Sequence, residues 1–193
     1  MSEATTIDGI NYGPLAVLDG VWEGNKGVDR APEPDGEERN PYYETITFKV
    51  AGDVTNAEKQ TLSIVRYHQV VTRKSNDEVF HDQMGYWLWD PADDTIVETF
   101  IIPRGVAVVA GGKLAEPADL SQELVFEVAA NVDSQEFGIS QAAFMFQQAK
   151  TTGFTHTLKV TGDEMRYTQS TFLDIYDKKH YDHSDVNTLH RVS

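Results

Sequence analysis

The sequence predicts an all-β protein folded as a closed, antiparallel, up-and-down barrel of about ten strands, with one short helix at most. Three observations predict it. Short segments of strand composition recur along the chain, turn residues separate them at short intervals, and only one stretch has helical spacing. Strands that do not alternate with helices exclude a βαβ architecture and leave a sandwich or a closed barrel. Closure removes the edges an open sheet would expose. A barrel of this strand count is expected to have an interior too wide for its own side chains to fill, which gives a small hydrophobic ligand a place to sit.

Residues 1–13 have no clear period and read as an N-terminal arm, with a single barrel domain expected over residues 14–193. Residues 15–23 are the first apolar segment. Residues 24–41 concentrate Gly, Pro and charge, and read as a long loop able to lie as a flap over a pocket. Residues 43–50 alternate: Tyr43, Thr45, Thr47 and Lys49 fall on one side, Glu44, Ile46, Phe48 and Val50 on the other. Strand segments follow at 60–72, 78–89, 95–102 and 106–110. Residues 74–77, 91–94, 103–105 and the pair Gly111-Gly112 supply turns. Residues 121–129 alternate again, with Leu124, Phe126 and Val128 together. Residues 139–150 argue for a helix, since Ile139, Ala142, Ala143 and Phe146 fall at helical spacing among good helix formers. An alternating strand across residues 142–146 is the competitor. Segments 153–161 and 164–173 flank the hairpin signal Gly162-Asp163, and residues 184–192 are again extended in character.

Composition narrows the function. The chain has 193 residues, of which 40% are hydrophobic, enough for one domain with a real core. Asp and Glu total 31 against 16 Lys and Arg, a formal net charge of −15. Such a surface repels phosphate backbones and anionic headgroups, so neither nucleic acid nor membrane is expected as a partner. There is no cysteine, which excludes disulfides, thiolate metal sites and cysteine nucleophiles. No secretory signal is visible at the N-terminus, and no apolar run approaches the ~18–20 residues that span a bilayer, so a cytoplasmic location is expected. Neither a nucleophile elbow nor a phosphate-cradling Gly loop nor a zinc spacing occurs. A binding module is therefore expected rather than an enzyme.

Particular residues carry a resemblance. Gly20-Val21-Trp22-Glu23-Gly24, followed by Gly27, is similar to the Gly-x-Trp-x-Gly entry of lipocalin-like barrels, where the Trp plugs the closed end and the glycines let backbone pass closely. The series continues with Pro41-Tyr42-Tyr43-Glu44-Thr45-Ile46-Thr47-Phe48, then His81-Asp82-Gln83-Met84-Gly85-Tyr86-Trp87. It extends through Pro103-Arg104-Gly105-Val106-Ala107 to Gly162-Asp163-Glu164-Met165-Arg166-Tyr167. In this order it resembles the nitrobindin-like family, the fatty-acid-binding-protein-like haem-binding β-barrels. The resemblance implies haem b in a shallow pocket near the barrel mouth, held by a His near the C-terminus. It also implies nitric oxide as a ligand and peroxynitrite as a reactant. A haem-dependent peroxynitrite-scavenging enzyme is thus the alternative activity, and a barrel that acts only through protein contacts is the alternative without a ligand; a homodimer is a further expected partner state.

Six histidines are available as iron ligands. An ungapped fit of the family's ending puts Ser184 at the ligand position and His183 next to it. A step of one residue turns a strand side chain to the other face. His183 therefore serves as metal ligand if a bulge or a shift in the preceding loop re-aims it, flanked by Asp182 and Asp185. His190 shares a face with Ser184 and is the weaker second candidate. His81 shares a face with Gln83, Gly85 and Trp87 and is expected to line the pocket. Trp22 and Gly24 complete the expected cofactor-binding set. His68 and His156 have no partner signal and read as structural.

Overall fold

Alternation of inward and outward side chains along long strands sets the architecture. The structure, a computed structural model, describes residues 5–114 and 119–193, so the first four residues of the expected arm lie outside the described residues. A small ribbon of β1 (Thr6–Ile7) and β2 (Ile10–Asn11) leads into a 3-10 helix, Gly13–Leu18. Then come β3 (Gly20–Glu33), β4 (Gly36–Asn56), β5 (Gln60–Arg73), β6 (Val79–Asp90), β7 (Thr95–Ile102), β8 (Val106–Lys113) and β9 (Leu124–Asn131). A short β10 (Ile139–Gln141) and helix α1 (Ala143–Gln148) precede β11 (Ala149–Thr161), β12 (Glu164–Ile175) and β13 (Lys178–Arg191). The hydrogen-bonded order is β8-β7-β6-β5-β4-β3-β13-β12-β11-β9, and β8 meets β9 to close the ring. Among the described residues this is the expected barrel of ten antiparallel strands, with β10 added alongside β8.

The seam between β8 and β9 is narrow, with Gly111 opposite Ala129. Glycine is what permits this approach. A Cβ on Gly112 would lie 2.0 Å from the Glu127 carbonyl oxygen, and one on Gly111 would meet the Phe137 ring at 2.2 Å. The pair Gly111-Gly112, expected as a turn, is instead strand, and its missing side chains let two backbones touch. The Gly162-Asp163 hairpin stands as expected between β11 and β12, with Gly162 at φ 56°.

One end of the barrel is plugged. Tyr12, Leu15 and Leu18 are buried together with Trp22, Trp89 and Ile96. Trp22 Nε1 donates to the Leu18 carbonyl at 2.8 Å, and Tyr12 Oη accepts from the Gly52 amide at 2.9 Å. The Arg191 guanidinium lies over the Trp22 ring, 4.2 Å from its centroid. Trp22 thus stands where the resemblance put it. Among the described residues no helix is long and apolar enough to cross a membrane.

Three further expectations are corrected. Residues 24–41 are not a loop: β3 and β4 pair as a ribbon out to Glu33 opposite Gly36. Most of the charge there reports exposure, not the absence of pairing, with Asp29 the buried exception. Arg30 Nη2 holds Glu37 at 2.8 Å, and Lys178 Nζ donates to the Glu33 and Gly36 carbonyls at 2.6 and 2.7 Å. The helix expected over residues 139–150 shrinks to α1, because its outer parts pair as β10 and β11, and Phe144 and Phe146 are exposed. The interior is not the wide void expected. Trp22, Trp87, Phe126, Phe154 and Leu158 fill much of it, and the cavity along its middle measures about 10 Å³, room for about one water molecule.

The seam yields a stability prediction. Gly112→Ala forces a methyl group against the β9 backbone and should cost about 1–3 kcal/mol in denaturant unfolding. A change of a few tenths would show that the seam does not depend on that contact.

Candidate functional site

The strand turns β3–β4, β5–β6, β7–β8 and β12–β13 gather at the end opposite the plug. At that rim, β13 settles the question of register left by the sequence. Asn187 and Leu189 are buried while Val186 and His190 are exposed, so odd-numbered side chains point inward. His183 and Asp185 share the inner face; Ser184 and His190 face outward, opposite Arg30 and Glu23 of β3. Pairing with β12 runs without a shift from Glu164 opposite His190 to Leu173 opposite Tyr181. His183 therefore reaches the interior by regular alternation, with no bulge at its own position.

On β3, the buried Asp29 sits between Asn40 of β4 and Asp185 of β13. His183 Nε2 donates to Asp29 Oδ1 at 2.6 Å, and Asn40 Nδ2 donates to Asp29 Oδ2 at 3.0 Å. Metal-ligating atoms of Asp29, His183 and Asp185 all lie within 4.8 Å of one another. Four strands round the ring, on β6, His81 also points inward; its Nε2 lies 3.2 Å from Gln83 Oε1. His81 lines a rim pocket of about 240 Å³ together with Val79, Phe80, Ile102 and Arg104.

Charge at this rim is mutually adjusted. Burial works against a charged His183, but the hydrogen bond to Asp29 and the nearby Asp185 outweigh it, and its pKa is raised. Burial, with a smaller push from the charge of His183, lowers that of His81. Burial pushes the Asp185 carboxyl up to about 7, against the pull of His183 and with the repulsion of Asp29 and Glu44.

Below the rim lies a polar layer that sequence reading missed. The fully enclosed Glu44 accepts from Gln69 Nε2 at 2.5 Å, Asn187 Nδ2 at 2.7 Å and Tyr167 Oη at 3.0 Å. Tyr167 Oη in turn lies 2.7 Å from Tyr42 Oη. Glu98 accepts from Tyr67 Oη at 2.7 Å and lies 2.8 Å from His156 Nδ1. Among the described residues His156 Nε2 is buried without a hydrogen-bond partner, beside the water-sized cavity. The signal was available. Glu44 stands on the same side of its strand as Ile46 and Phe48, and Glu98 on that of Ile96 and Phe100; a carboxylate on an apolar face needs internal partners.

The remaining expected residues lie elsewhere. Trp22 belongs to the plug. Gly24 passes against β13, where a Cβ would meet Asn187 Nδ2 at 2.7 Å and the Thr188 carbonyl oxygen at 2.8 Å. Of the expected set, only His183 and His81 point inward near the rim.

The comparisons agree with this architecture. Residues 11–191 match the THAP4-like, heme-binding beta-barrel domain, and the chain belongs to that family. The crystal structure of Rv2717c from M. tuberculosis is similar to it, with a TM-score of 0.67 at 18% sequence identity, over 93% of this chain and 95% of that one. That likeness shows the fold. No match was found among curated proteins. The donor chemistry at the rim fits the cofactor of the family: haem iron takes an imidazole nitrogen, and His183 presents its ring on the inner face with its side chain 30% exposed, once Nε2 gives up the proton it shares with Asp29. Its Nε2 is hydrogen-bonded to Asp29, so ligation there would replace that bond.

The polar layer carries a pH prediction. Burial raises the pKa of Glu44 above the ordinary 4.5, although its three donors pull the other way. The folded state then holds a proton that the unfolded chain releases, so stability falls as pH rises above about 4.5. Glu44→Gln removes this titration while misplacing an amide among donors. In urea unfolding the lead of the natural protein over the variant should shrink between about pH 4 and pH 8. A lead that stays constant or widens would contradict the assignment.

Proposed function

We propose that this barrel binds haem at the rim opposite the plug, with His183 as the iron ligand and His81 on the facing wall. The observation that carries the reading is an inward, partly exposed imidazole at the rim of a barrel from a haem-binding family. The filled interior supports a position at the rim, since a cavity of about 10 Å³ along the middle admits no ligand larger than a water.

When bound, haem supplies an iron atom whose free position takes a small gaseous ligand such as nitric oxide. The protein's own residues do the rest. Asn40 holds Asp29, and Asp29 keeps the ring of His183 on the inner face until iron takes the Nε2 that the carboxylate holds. His81, kept neutral by burial, offers a hydrogen-bonding nitrogen rather than a second charge. Arg104 brings a cation to the same rim, where haem carries its propionates. These roles hold and orient a cofactor, and the reading is a binding protein rather than a peroxynitrite-scavenging enzyme.

The filled interior also favours a second reading, a barrel that acts through protein contacts alone. One titration separates the two. Haem added to the apoprotein should give a Soret band that saturates at one equivalent, is lost in His183→Ala and is kept in Ser184→Ala. Absence of the band from the natural protein would overturn the haem reading and leave the second.

A further inference from the structure

We infer that Asp29, His183 and Asp185 form a site for a divalent first-row transition ion of the zinc class, bound directly and without a porphyrin. One imidazole and two carboxylates face one another on the inner side of adjacent strands, with their ligating atoms within 4.8 Å. This set of one nitrogen and two oxygens suits zinc and its neighbours, whereas calcium and magnesium take oxygen alone.

The arrangement is supported from outside the cluster. Asn40 donates to the far oxygen of Asp29, leaving the near oxygen directed at His183. Asp185 is placed by its pairing with Asp29 across β3 and β13, and among the described residues its carboxylate accepts no hydrogen bond. Two carboxylates side by side repel, and His183 bonds only one of them, which leaves the Asp185 oxygens open to a further cation. Little movement is needed. Metal–ligand bonds of about 2.0–2.1 Å set tetrahedral ligand atoms about 3.3 Å apart. Asp29 Oδ1 and His183 Nε2 stand at 2.6 Å and need only part slightly as the ion replaces their shared proton. Water completes the coordination from the rim, where His183 is 30% exposed.

The inference does not rest on haem binding, but it uses the same nitrogen of His183, so ion and haem exclude each other there. The test is a calorimetric titration of chelator-stripped, haem-free protein with zinc chloride, repeated with calcium chloride. One equivalent of zinc should bind to the natural protein and raise its melting temperature, with calcium giving neither effect. His183→Ala and Asp185→Asn should lose both effects, and Asn40→Ala should weaken binding roughly tenfold. His190→Ala, an outward histidine, should bind as the natural protein does. Melting curves without metal show whether each variant is folded. No zinc binding by the natural protein, binding that survives both His183→Ala and Asp185→Asn, or equal binding of calcium would each overturn the inference. A missing Soret band together with intact zinc binding would overturn the haem reading alone.

Discussion

The hydrogen bond from His183 to Asp29, 2.6 Å long and joining β13 to β3, is the interaction on which the rim depends. It places an imidazole on the inner face, fixes which ring nitrogen points into the barrel, and stabilises a buried aspartate that would otherwise stand uncompensated. Asn40 holds the other oxygen of that aspartate, so the pair is tied to β4 as well. Without it, His183 would be one more rim histidine free to turn towards solvent.

The interior is graded from that rim to the plug. Near the plug, Trp22, Trp89, Leu15 and Leu18 pack as an apolar base. In the middle, Glu44 and Glu98 are enclosed, and each is satisfied by tyrosine and amide or imidazole groups from strands across the ring. Burying a carboxylate is tolerated only with such partners, and every partner must sit on an inward position of its own strand. The polar layer therefore holds the strands in register as firmly as the apolar base does. It also leaves little space, which moves any sizeable ligand to the rim.

Much of this was legible in the sequence. Alternation in residues 43–50 and 121–129 and the hairpin at Gly162-Asp163 gave β4, β9 and the β11–β12 turn; the Trp22 motif placed the plug. Residues 24–41 and Gly111-Gly112 were misread for one reason. Glycine, proline and charge mark exposure or close approach as well as turns, and only the pairing partner decides between them. His183 was legible as a candidate but its face was not, because an ungapped alignment fixes a position in the chain and not a phase on a strand. Asp29 and Asn40 were out of reach, since they lie 154 and 143 positions before His183 in a segment that reads as loop. Glu44 and Glu98 lay in plain view on apolar faces, yet their partners come from distant strands that no local pattern names.

The most direct test of the account is the long-range ¹H–¹⁵N spectrum of the His183 ring, recorded on apoprotein and again after one equivalent of haem. A protonated, strongly hydrogen-bonded Nε2 is expected in the apoprotein, giving way to an iron-bound nitrogen once haem is added. A ring that titrates like a free imidazole in both samples would contradict it.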